Sequence, residues 1–298
     1  MQPTAVPDAT DAAPPSKPRP GLYVVGTPIG NARDITLRAL DTLRGADLIA
    51  CEDTRVSRPF LANFGIGAPL LACHDHNEDE AARSIIAALE GGKVVALISD
   101  AGMPLVSDPG HRVVRAAIDA GHPVTIVPGP SAPLAALALS GLPSDRFLFA
   151  GFLPAKTTER RRAITSLASV DATLLLFEAP HRLVESLEDL AALLGPRPAA
   201  VTRELTKRFE EARRAPLDQL AAHYRAEGPP RGEIVIVVGP PDANAAAVSD
   251  EDIDAALRTA MAGASVKEAA AEVAARFGRP RRAVYARALE LKRTGGDA

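Results

Sequence analysis

The chain has 298 residues, of which 47% are hydrophobic, and its formal net charge at pH 7 is -3. This length allows two or three domains of ordinary size, and this apolar share is enough to build hydrophobic cores, which excludes a wholly disordered chain. The net negative charge argues against indiscriminate binding of nucleic acid, and no apolar run approaches the roughly 20 residues of a membrane-spanning helix.

The first segment, residues 1–20, contains six prolines, and Val6 is its only large aliphatic residue. It lacks the apolar core of a secretory signal and therefore predicts a disordered tail. Further along, Cys51 and Cys73 lie in strand-like segments without the spacing of metal ligands. They predict buried thiols in a reducing, cytoplasmic setting.

Residues 21–140 alternate short apolar runs with amphipathic helical stretches. The apolar runs read LYVV, ADLIAC, LLAC, KVVALIS and PVTIVP. Strands that are apolar on both faces and separated by helices are typical of a mainly parallel sheet covered by helices on both sides. Ligands of such sheets bind outside the carboxyl ends of the strands. Five segments should share that rim: GTPIGN, CEDTR, CHDHNE, SDAGMPLVSDPG and VPGPSA.

The loops on this rim exclude the common nucleotide motifs. GTPIGN contains neither Gly-Lys-Ser/Thr nor G-x-G-x-x-G, and Pro28 removes a backbone donor that a phosphate site would use. SDAGMPLVSDPG and VPGPSA are rich in glycine and proline, so they form constrained turns whose exposed backbone groups suit an adenosine or amino-acid moiety as well as a phosphate. A rigid turn with helix capping by Asp108 is the less favoured alternative for the first loop, and Ser131 is placed to cap the helix that follows the second.

Charged and polar side chains gather in CEDTRVSRPF and CHDHNE. Two histidines, His74 and His76, raise the possibility of zinc, but their spacing without third and fourth ligands is weak evidence, and we predict no metal site. A polar rim facing a substrate is favoured over solvated loop ends. The chain also lacks the G-x-S-x-G motif of a serine hydrolase. These residues alone indicate a small-molecule or cofactor enzyme with its site in an interdomain cleft.

After Pro143 the pattern restarts, and residues 141–240 predict a second α/β domain, joined to the first by a short linker near residues 140–145. The stretch AVTRELTKRFEEARRAP has no helix between its two halves. It therefore predicts an antiparallel pair of strands and a mixed sheet.

Residues 239–250 resemble a linker, and residues 250–298 predict a small helical domain. Ser265 is placed to cap its second helix, and Pro280 to begin its third, with Gly278 at the joint. Two short helices around a glycine turn are typical of a helix-turn-helix.

This last domain also contains a basic cluster, because residues 276–293 include a single acid, Glu290, and seven basic residues. The basic residues are Arg276, Arg279, Arg281, Arg282, Arg287, Lys292 and Arg293.

Taken together, the motifs resemble the tetrapyrrole methylase superfamily. The motifs that carry the resemblance are GTPIGNxxDIT, CEDTR, SDAGMPLVSDPG, VPGPSA, GFLP, FEAPHR, RELTK and the strand that begins at Gly232-Glu233. They cover about residues 20–240 in order, and the likeness continues into the C-terminal helices. The tetrapyrrole members carry Gly-Gly-Asp where this chain has Ala101-Gly102-Met103, and this departure favours the family branch that acts on ribosomal RNA.

The resemblance implies a two-domain α/β fold with S-adenosylmethionine in the cleft, and a homodimer. It also implies transfer of a methyl group to the 2'-hydroxyl of a cytidine ribose in the decoding region of 16S rRNA, with the assembled small subunit as the expected substrate. By motif matching, the residues implied to contact the cofactor are Pro28, Ala101, Gly102, Met103, Val106, Ser131, Ala132, Phe177, Glu178, Leu205 and Gly232.

A ribose hydroxyl must lose its proton as it attacks, so the reaction needs a general base or a cation that lowers the hydroxyl pKa. The candidates on the rim and in the second domain are Asp53, His76, Glu78, Asp100, Glu204 and Lys207. We favour Asp53 and Glu78 as an acidic pair near the acceptor. Arg55 and Lys207 are expected on the phosphates of the acceptor, and Lys207 counts with the catalytic group.

RNA binding is expected from the C-terminal basic cluster together with Lys156, Arg160, Arg161 and Arg162, through contacts that sense backbone and shape. For the segment ERRRA alone, a solvated helix face is about as compatible.

Three other functions remain open. Methylation of a tetrapyrrole carbon would leave the basic helical domain without a use. A DNA-binding regulator with a ligand-sensing domain would bind a specific duplex without turnover. A dinucleotide oxidoreductase fits worst, since the glycine fingerprint is missing.

Overall fold

The computed structural model describes residues 17–241, 250–277 and 280–294. The predicted tail falls largely outside these ranges, as do most of the predicted linker and the predicted glycine turn at Gly278. The chain forms two compact units, which divide between Pro240 and Pro241. Both sheets lie in the first unit, and each unit is described by itself below.

The first sheet has five strands, and every pair of neighbours is parallel. The strand order is β3-β2-β4-β1-β5. Its strands are β1 (Gly21–Val25), β2 (Leu48–Cys51), β3 (Leu70–Ala72), β4 (Val94–Leu97) and β5 (Val124–Val127). Five helices follow these strands: α1 (Leu37–Gly45), α2 (Thr54–Ala62), α3 (Glu78–Glu90), α4 (His111–Asp119) and α5 (Ala132–Ser140).

Helices cover both faces of this sheet, as the apolar strands predicted. On one face, Leu43 of α1 and Leu61 of α2 pack against Ile49 and Ala96. On the other, Ile85 of α3 and the buried residues of α4 pack against alternate strand residues. Because successive side chains of a strand point to opposite faces, the same short strands supply both cores.

The second sheet is mixed, and its strand order is β6-β7-β10-β8-β9. Its strands are β6 (Phe147–Phe152), β7 (Thr173–Glu178), β8 (Pro198–Arg203), β9 (Glu211–Pro216) and β10 (Ile234–Val238). Only the β6–β7 pair is parallel, and β8 and β9 form the predicted antiparallel pair. The fold class predicted from the sequence is thus confirmed.

The helices of this part of the chain are α6 (Thr157–Leu167), α7 (Leu183–Leu194) and α8 (Leu217–Glu227). They cover one face of the second sheet. The other face is covered by α5, whose Ala136 and Leu137 pack against Val235 and Val237 of β10. Although α5 follows the first sheet in the chain, it therefore belongs to the core of the second sheet.

The second unit contains α9 (Asp250–Met261), α10 (Val266–Arg276) and α11 (Arg281–Thr294). Its core includes Leu257, Val273 and Ala288. Ser265 caps α10 as predicted, and the side chain of Glu268 accepts a hydrogen bond from the Ser265 amide, which completes a capping box. Within the described ranges, no helix combines the length and apolar character that a membrane crossing requires.

Candidate active site

The loops that follow β1 and β4 are tied together by their backbones. The Thr27 amide donates to the Gly102 carbonyl at 2.8 Å, and the Gly102 amide donates back to the Thr27 carbonyl at 3.2 Å. The buried Thr27 hydroxyl also donates to the carbonyl of Ser99 at 3.2 Å. In the same loop, Leu105 and Ser107 have φ angles of 72° and 67°. Such left-handed backbone is strained for residues other than glycine, so the surrounding contacts hold this loop in one conformation.

The loops that follow β1 and β5 touch at two glycines. A Cβ atom added at Gly26 would lie 2.7 Å from the Cα of Gly129 and 2.6 Å from the sulfur of Met103. The Gly129 amide points to that sulfur at 3.3 Å. Glycine is required here because any side chain would force the two loops apart.

A cavity of about 400 Å³ lies against these loops, at the carboxyl ends of the first sheet's strands and beside the second sheet. Most of its lining is apolar, with Ile29, Val106 and Phe177 among the larger side chains. Gly102 contributes to the wall with a φ of 82°. A side chain at that position would be strained and would meet Ile29 at 3.3 Å.

All of the residues implied to contact a cofactor line this cavity, with the exception of Pro28. They are Ala101, Gly102, Met103, Val106, Ser131, Ala132, Phe177, Glu178, Leu205 and Gly232. In place of Pro28, the neighbouring Ile29 contributes to the wall. Proximity to the cavity is what the geometry provides, and their role as cofactor contacts stays a prediction.

Several lining residues were not predicted from the sequence as site residues. Asp108, Phe152, Pro180 and Glu233 belong to this group. Each lies inside one of the motifs quoted above, SDAGMPLVSDPG, GFLP, FEAPHR and the final Gly-Glu. The signal was therefore present in the sequence, but it marked a motif rather than an individual side chain.

Neither of the two candidate caps forms a side-chain capping hydrogen bond. Ser131 stands at the N-cap position of α5 without a capping hydrogen bond from its side chain. Asp108 does not cap α4; the cap comes instead from α3, where Oε1 of Glu78 accepts hydrogen bonds from the Gly110 amide at 2.9 Å and the Arg112 amide at 2.8 Å. A buried carboxylate at a helix N-terminus is stabilised by these donors and by the helix dipole.

These contacts also revise the catalytic prediction for Glu78. Its carboxylate is buried and lies 3.8 Å from the guanidinium of Arg112 in addition to the two amide contacts. Glu78 does not line the cavity or the acidic recess described next. The geometry therefore gives it the structural task of holding the start of α4 rather than the predicted acceptor-side one.

A second, acidic recess of about 410 Å³ lies at the ends of β2, β3 and β4, and its lining includes Glu52, Asp53 and Asp100. Asp53 pairs with Arg55 at 2.6 Å and caps α2 by accepting from the Arg55 amide at 2.8 Å. Hydrogen bonds from the Arg55 side chain and backbone lower the pKa of Asp53 to about 2. A carboxylate so stabilised is a weak proton acceptor.

Other acids near this recess have the opposite tendency. Burial raises the pKa of Asp108 from its ordinary value of 3.8 to about 6, with a further contribution from Asp100 and Asp75. Burial also raises the pKa of Asp100, assisted by the charge of Asp53. Glu52 likewise has a raised pKa, first through burial and then through the charge of Asp108. Asp108 thus lines the cavity and is electrostatically coupled to the recess.

Lys207 lies between two carboxylates of the second sheet. Its Nζ donates to Glu204 at 3.1 Å and to Glu233 at 3.1 Å. Burial alone would lower the pKa of Lys207, but the hydrogen bonds to Glu233 and Glu204 raise it above its ordinary value. The ammonium group therefore stays charged, which excludes Lys207 as a base and leaves it as a cation near the cavity.

The expected RNA contacts on α6 require a correction. Arg160 is only 2% exposed, and its guanidinium pairs with Asp189 at 2.7 Å and with Glu185 at 3.5 Å. Arg161 is exposed but also pairs with Asp189, at 2.6 Å. The prediction was wrong for Arg160, which joins α6 to α7 inside the molecule.

The basic cluster of the second unit divides in the same way. Arg287 pairs with Asp254 at 2.7 Å and with Glu290 at 3.0 Å, and so ties α11 to α9. Arg287 is nevertheless exposed, as are Arg281, Arg282, Lys292 and Arg293. Arg279 and the side chain of Arg276 lie outside the described residues.

The arrangement of potential metal ligands agrees with the weak spacing of the two histidines. The part of the chain that the structure describes contains no group of three or more His, Cys, Asp or Glu side chains placed to hold a metal ion. The rings of His74 and His76 pack edge to face, with centroids 6.1 Å apart.

Comparison with known proteins matches both units of the chain. The family model of tetrapyrrole (corrin/porphyrin) methylases matches residues 21–221, and a model described as the RsmI C-terminal HTH domain matches residues 247–292. The ribosomal RNA small subunit methyltransferase I of Mesorhizobium japonicum is 55% identical over 287 residues, covering 95% of this chain and 96% of that protein.

Solved structures agree on the fold. The uroporphyrin-III-C-methyltransferase of Thermus thermophilus gives a TM-score of 0.54 at 25% identity, covering 74% of this chain and 94% of that one. The same enzyme complexed with S-adenyl homocysteine gives a TM-score of 0.51 at 23% identity, with 74% of this chain and 97% of that one covered.

Proposed function

Since the chain belongs to the tetrapyrrole methylase family, and within it to the ribosomal RNA small subunit methyltransferase I group, we propose that it methylates a cytidine ribose 2'-hydroxyl in the decoding region of 16S rRNA with S-adenosylmethionine. The observation that carries this proposal is the match of both units, including the helical one. A small tetrapyrrole acceptor would have no use for that basic helical unit.

The cavity fits the proposed cofactor in size and chemistry. Its volume of about 400 Å³ falls in the roughly 300–1,000 Å³ range of small-ligand sites. Its apolar walls suit the purine ring and the aliphatic part of the methionine chain of the cofactor. Gly102, where a Cβ would project toward the wall, leaves backbone groups accessible. When bound, S-adenosylmethionine would supply a methyl group activated by the sulfonium charge.

We assign the proton-accepting role to Asp108. It lines the cavity, and burial raises its pKa to about 6. A general base works best when its pKa lies near the working pH, because it is then ionised and still basic. Asp53, with a pKa of about 2, is better suited to orient Arg55 toward the phosphates of the acceptor.

Positioning of the two reactants supplies the rest of the rate acceleration. Alignment of the acceptor oxygen with the methyl carbon turns a bimolecular reaction into one between groups already in place. The strained loop of Leu105 and Ser107 and the backbone ties of Thr27 hold the proposed cofactor side of that alignment.

A homodimer that acts in the cytoplasm, on the assembled small subunit, completes the proposal. Apolar side chains are exposed on two of the four edge strands, at Ile126 of β5 and at Phe147 and Leu148 of β6. Exposed edge strands with apolar side chains are typical of surfaces that pair with another chain. Equilibrium sedimentation of the purified protein would test this part: a monomer at micromolar concentration contradicts it.

The decisive experiment combines purified protein, S-adenosylmethionine labelled in its methyl group, and small ribosomal subunits that lack the modification. We expect label at the 2'-oxygen of one decoding-region cytidine, and less label with naked 16S rRNA. A Gly102→Val variant, whose side chain would disturb the cavity wall, serves as the negative control. Absence of label in the RNA, despite measurable binding of the cofactor, would contradict the proposal.

A further inference from the structure

The loop between β8 and β9, residues 204–210, contributes one residue to the cavity wall and presents an aromatic side chain to solvent. Leu205, near the start of this loop, lines the cavity. Phe209, four residues later, is 64% exposed, the largest exposed fraction of any aromatic side chain in the described part of the chain. A phenylalanine side chain left in water lacks roughly 1.5–3 kcal/mol of stabilisation that burial would provide. A ligand that covers the ring would supply part of this free energy.

The loop is held in place from several sides. Glu204 and Thr206 adopt left-handed backbone with φ angles of 50° and 65°, a conformation that persists in such residues only when surrounding contacts impose it. The Thr206 amide donates to Glu210 at 2.6 Å, and the Thr206 hydroxyl accepts from the Asn31 amide at 3.1 Å. The loop is thereby fixed to GTPIGN, the loop that follows β1.

The cation beside Phe209 is available to an anionic ligand. The nearby acids are engaged elsewhere: Glu204 and Glu233 share Lys207, Glu210 accepts from a backbone amide, and Glu211, the first residue of β9, pairs with Arg203 at 2.7 Å. Arg208 is exposed and has no ion pair among the described residues. Its guanidinium carbon lies over one face of the Phe209 ring, 5.6 Å from the centroid, so a stacked base would use the opposite face.

A rigid exposed ring with an adjacent, unneutralised guanidinium is the combination that proteins use to hold an unpaired nucleotide. The base stacks on the aromatic face, and the cation attracts the phosphate. A duplex would offer no free base to the ring. An identical chain would bring another positive Arg208 to this surface if the loops met each other.

We propose that Phe209 and Arg208 form a stacking platform for an unpaired base of the RNA substrate, at the entrance to the cavity. This inference rests on the proposed function for the identity of the substrate. The platform would hold a nucleotide at or beside the acceptor, and so help to place the ribose hydroxyl at the cavity. It thus predicts that the substrate is recognised as a loop or single strand.

The full-length protein with Phe209→Leu, Phe209→Ala or Phe209→Trp tests the platform. Leucine keeps an apolar side chain without a π face, whereas tryptophan keeps the face. With small ribosomal subunits as substrate, the Leu and Ala variants should raise KM for the RNA roughly 5- to 100-fold. The Trp variant should stay close to the original protein, and the Kd for S-adenosylmethionine should be unchanged in all three.

Ile118→Ala provides the matched control, because Ile118 is also an exposed apolar side chain, 56% accessible, on α4. It should change neither KM nor the Kd for the cofactor. A Leu variant with the KM of the original protein overturns the proposal. So does an Ala variant that alters the oligomeric state in sedimentation while RNA binding per subunit is unchanged, since the surface would then belong to a second copy.

A binding assay without turnover separates this inference from the proposed function. Single-stranded RNA containing 2-aminopurine should lose fluorescence on binding to the original protein and the Trp variant, but much less with the Leu variant. The same RNA annealed into a duplex should show no dependence on Phe209. If the protein methylates no RNA and this pattern still holds, the platform stands and the proposed reaction fails; equal quenching by the Leu variant overturns the platform whatever the reaction.

Discussion

Asp108→Asn should stabilise the folded protein above pH 6 while it impairs methyl transfer. The folded pKa of Asp108 is raised from 3.8 to about 6, chiefly by burial. The unfolded chain therefore gives up this proton more easily than the folded chain. Folded stability due to this group is fully present below pH 4, declines as pH rises, and is lost once pH passes 6.

The size of the effect follows from the same pKa. At about 1.36 kcal/mol for each pKa unit, ionisation of Asp108 costs the folded state about 3 kcal/mol above pH 6. Asparagine keeps the shape and cannot ionise, so the variant should be more stable by up to that amount at pH 8 and by almost nothing at pH 4. In the melting temperature, each kcal/mol corresponds to roughly 2–4 °C for a unit of this length.

Thermal unfolding followed by circular dichroism at pH 4.5, 6 and 8 would measure this difference. Asp79→Asn is the control, because Asp79 is exposed and pairs with Arg112 at 2.8 Å on the surface; it should show no gain that grows with pH. In the labelling assay, loss of the base should lower kcat roughly 10²- to 10⁴-fold, and the original protein should gain activity as pH rises through about 6. Equal stability of the variant and the original protein at pH 8, or a gain that is the same at every pH, would refute the reasoning.

Further predictions concern the loops, the buried ion pair and the second unit. Gly26→Ala should destabilise the protein by about 1–3 kcal/mol in urea unfolding, because its Cβ would lie 2.6 Å from the sulfur of Met103. Gly67→Ala is the control and should not destabilise it, because the space around Gly67 is open. Equal effects of the two substitutions would contradict the close-contact argument. Arg160→Ala should destabilise the protein by up to about 3 kcal/mol, because the buried Asp189 would lose one of its two arginines and keep only Arg161. Arg162→Ala should leave stability unchanged and weaken RNA binding at low salt; an Arg160→Ala protein as stable as the original would show that this buried pair contributes nothing to stability. Removal of residues 245–298 should preserve the Kd for S-adenosylmethionine in calorimetry and reduce methylation of ribosomal subunits, and undiminished methylation would refute the role proposed for this segment.

The sequence predicts the strands and the cavity wall better than the electrostatics. Apolar runs and turn residues are local signals, and they correctly indicated the parallel sheet, the mixed sheet and the cap at Ser265. The motifs also led to nearly all of the cavity lining. The task of Glu78 could not be read in this way, because the amides that it binds follow more than thirty residues later in the chain.

The burial of charged groups was also difficult to predict from the sequence. Within ERRRA, the helical period places Arg160 on the same face as Ile164 and Leu167, which was a signal for an inward-facing arginine. Its partner, Asp189, lies on another helix and could not be foreseen. The raised pKa of Asp108 depends on burial, which arises only when the loops after β1 and β4 have come together.

The position of α5 has a consequence for the order in which the protein is made. This helix packs on β10, the central strand of the second sheet and the last to leave the ribosome. For about a hundred codons after α5 is synthesised, its apolar surface therefore lacks its final cover. A nascent chain released before Val238 has neither the centre of the second sheet nor a place for α5, so translation must be nearly complete before the first unit can close.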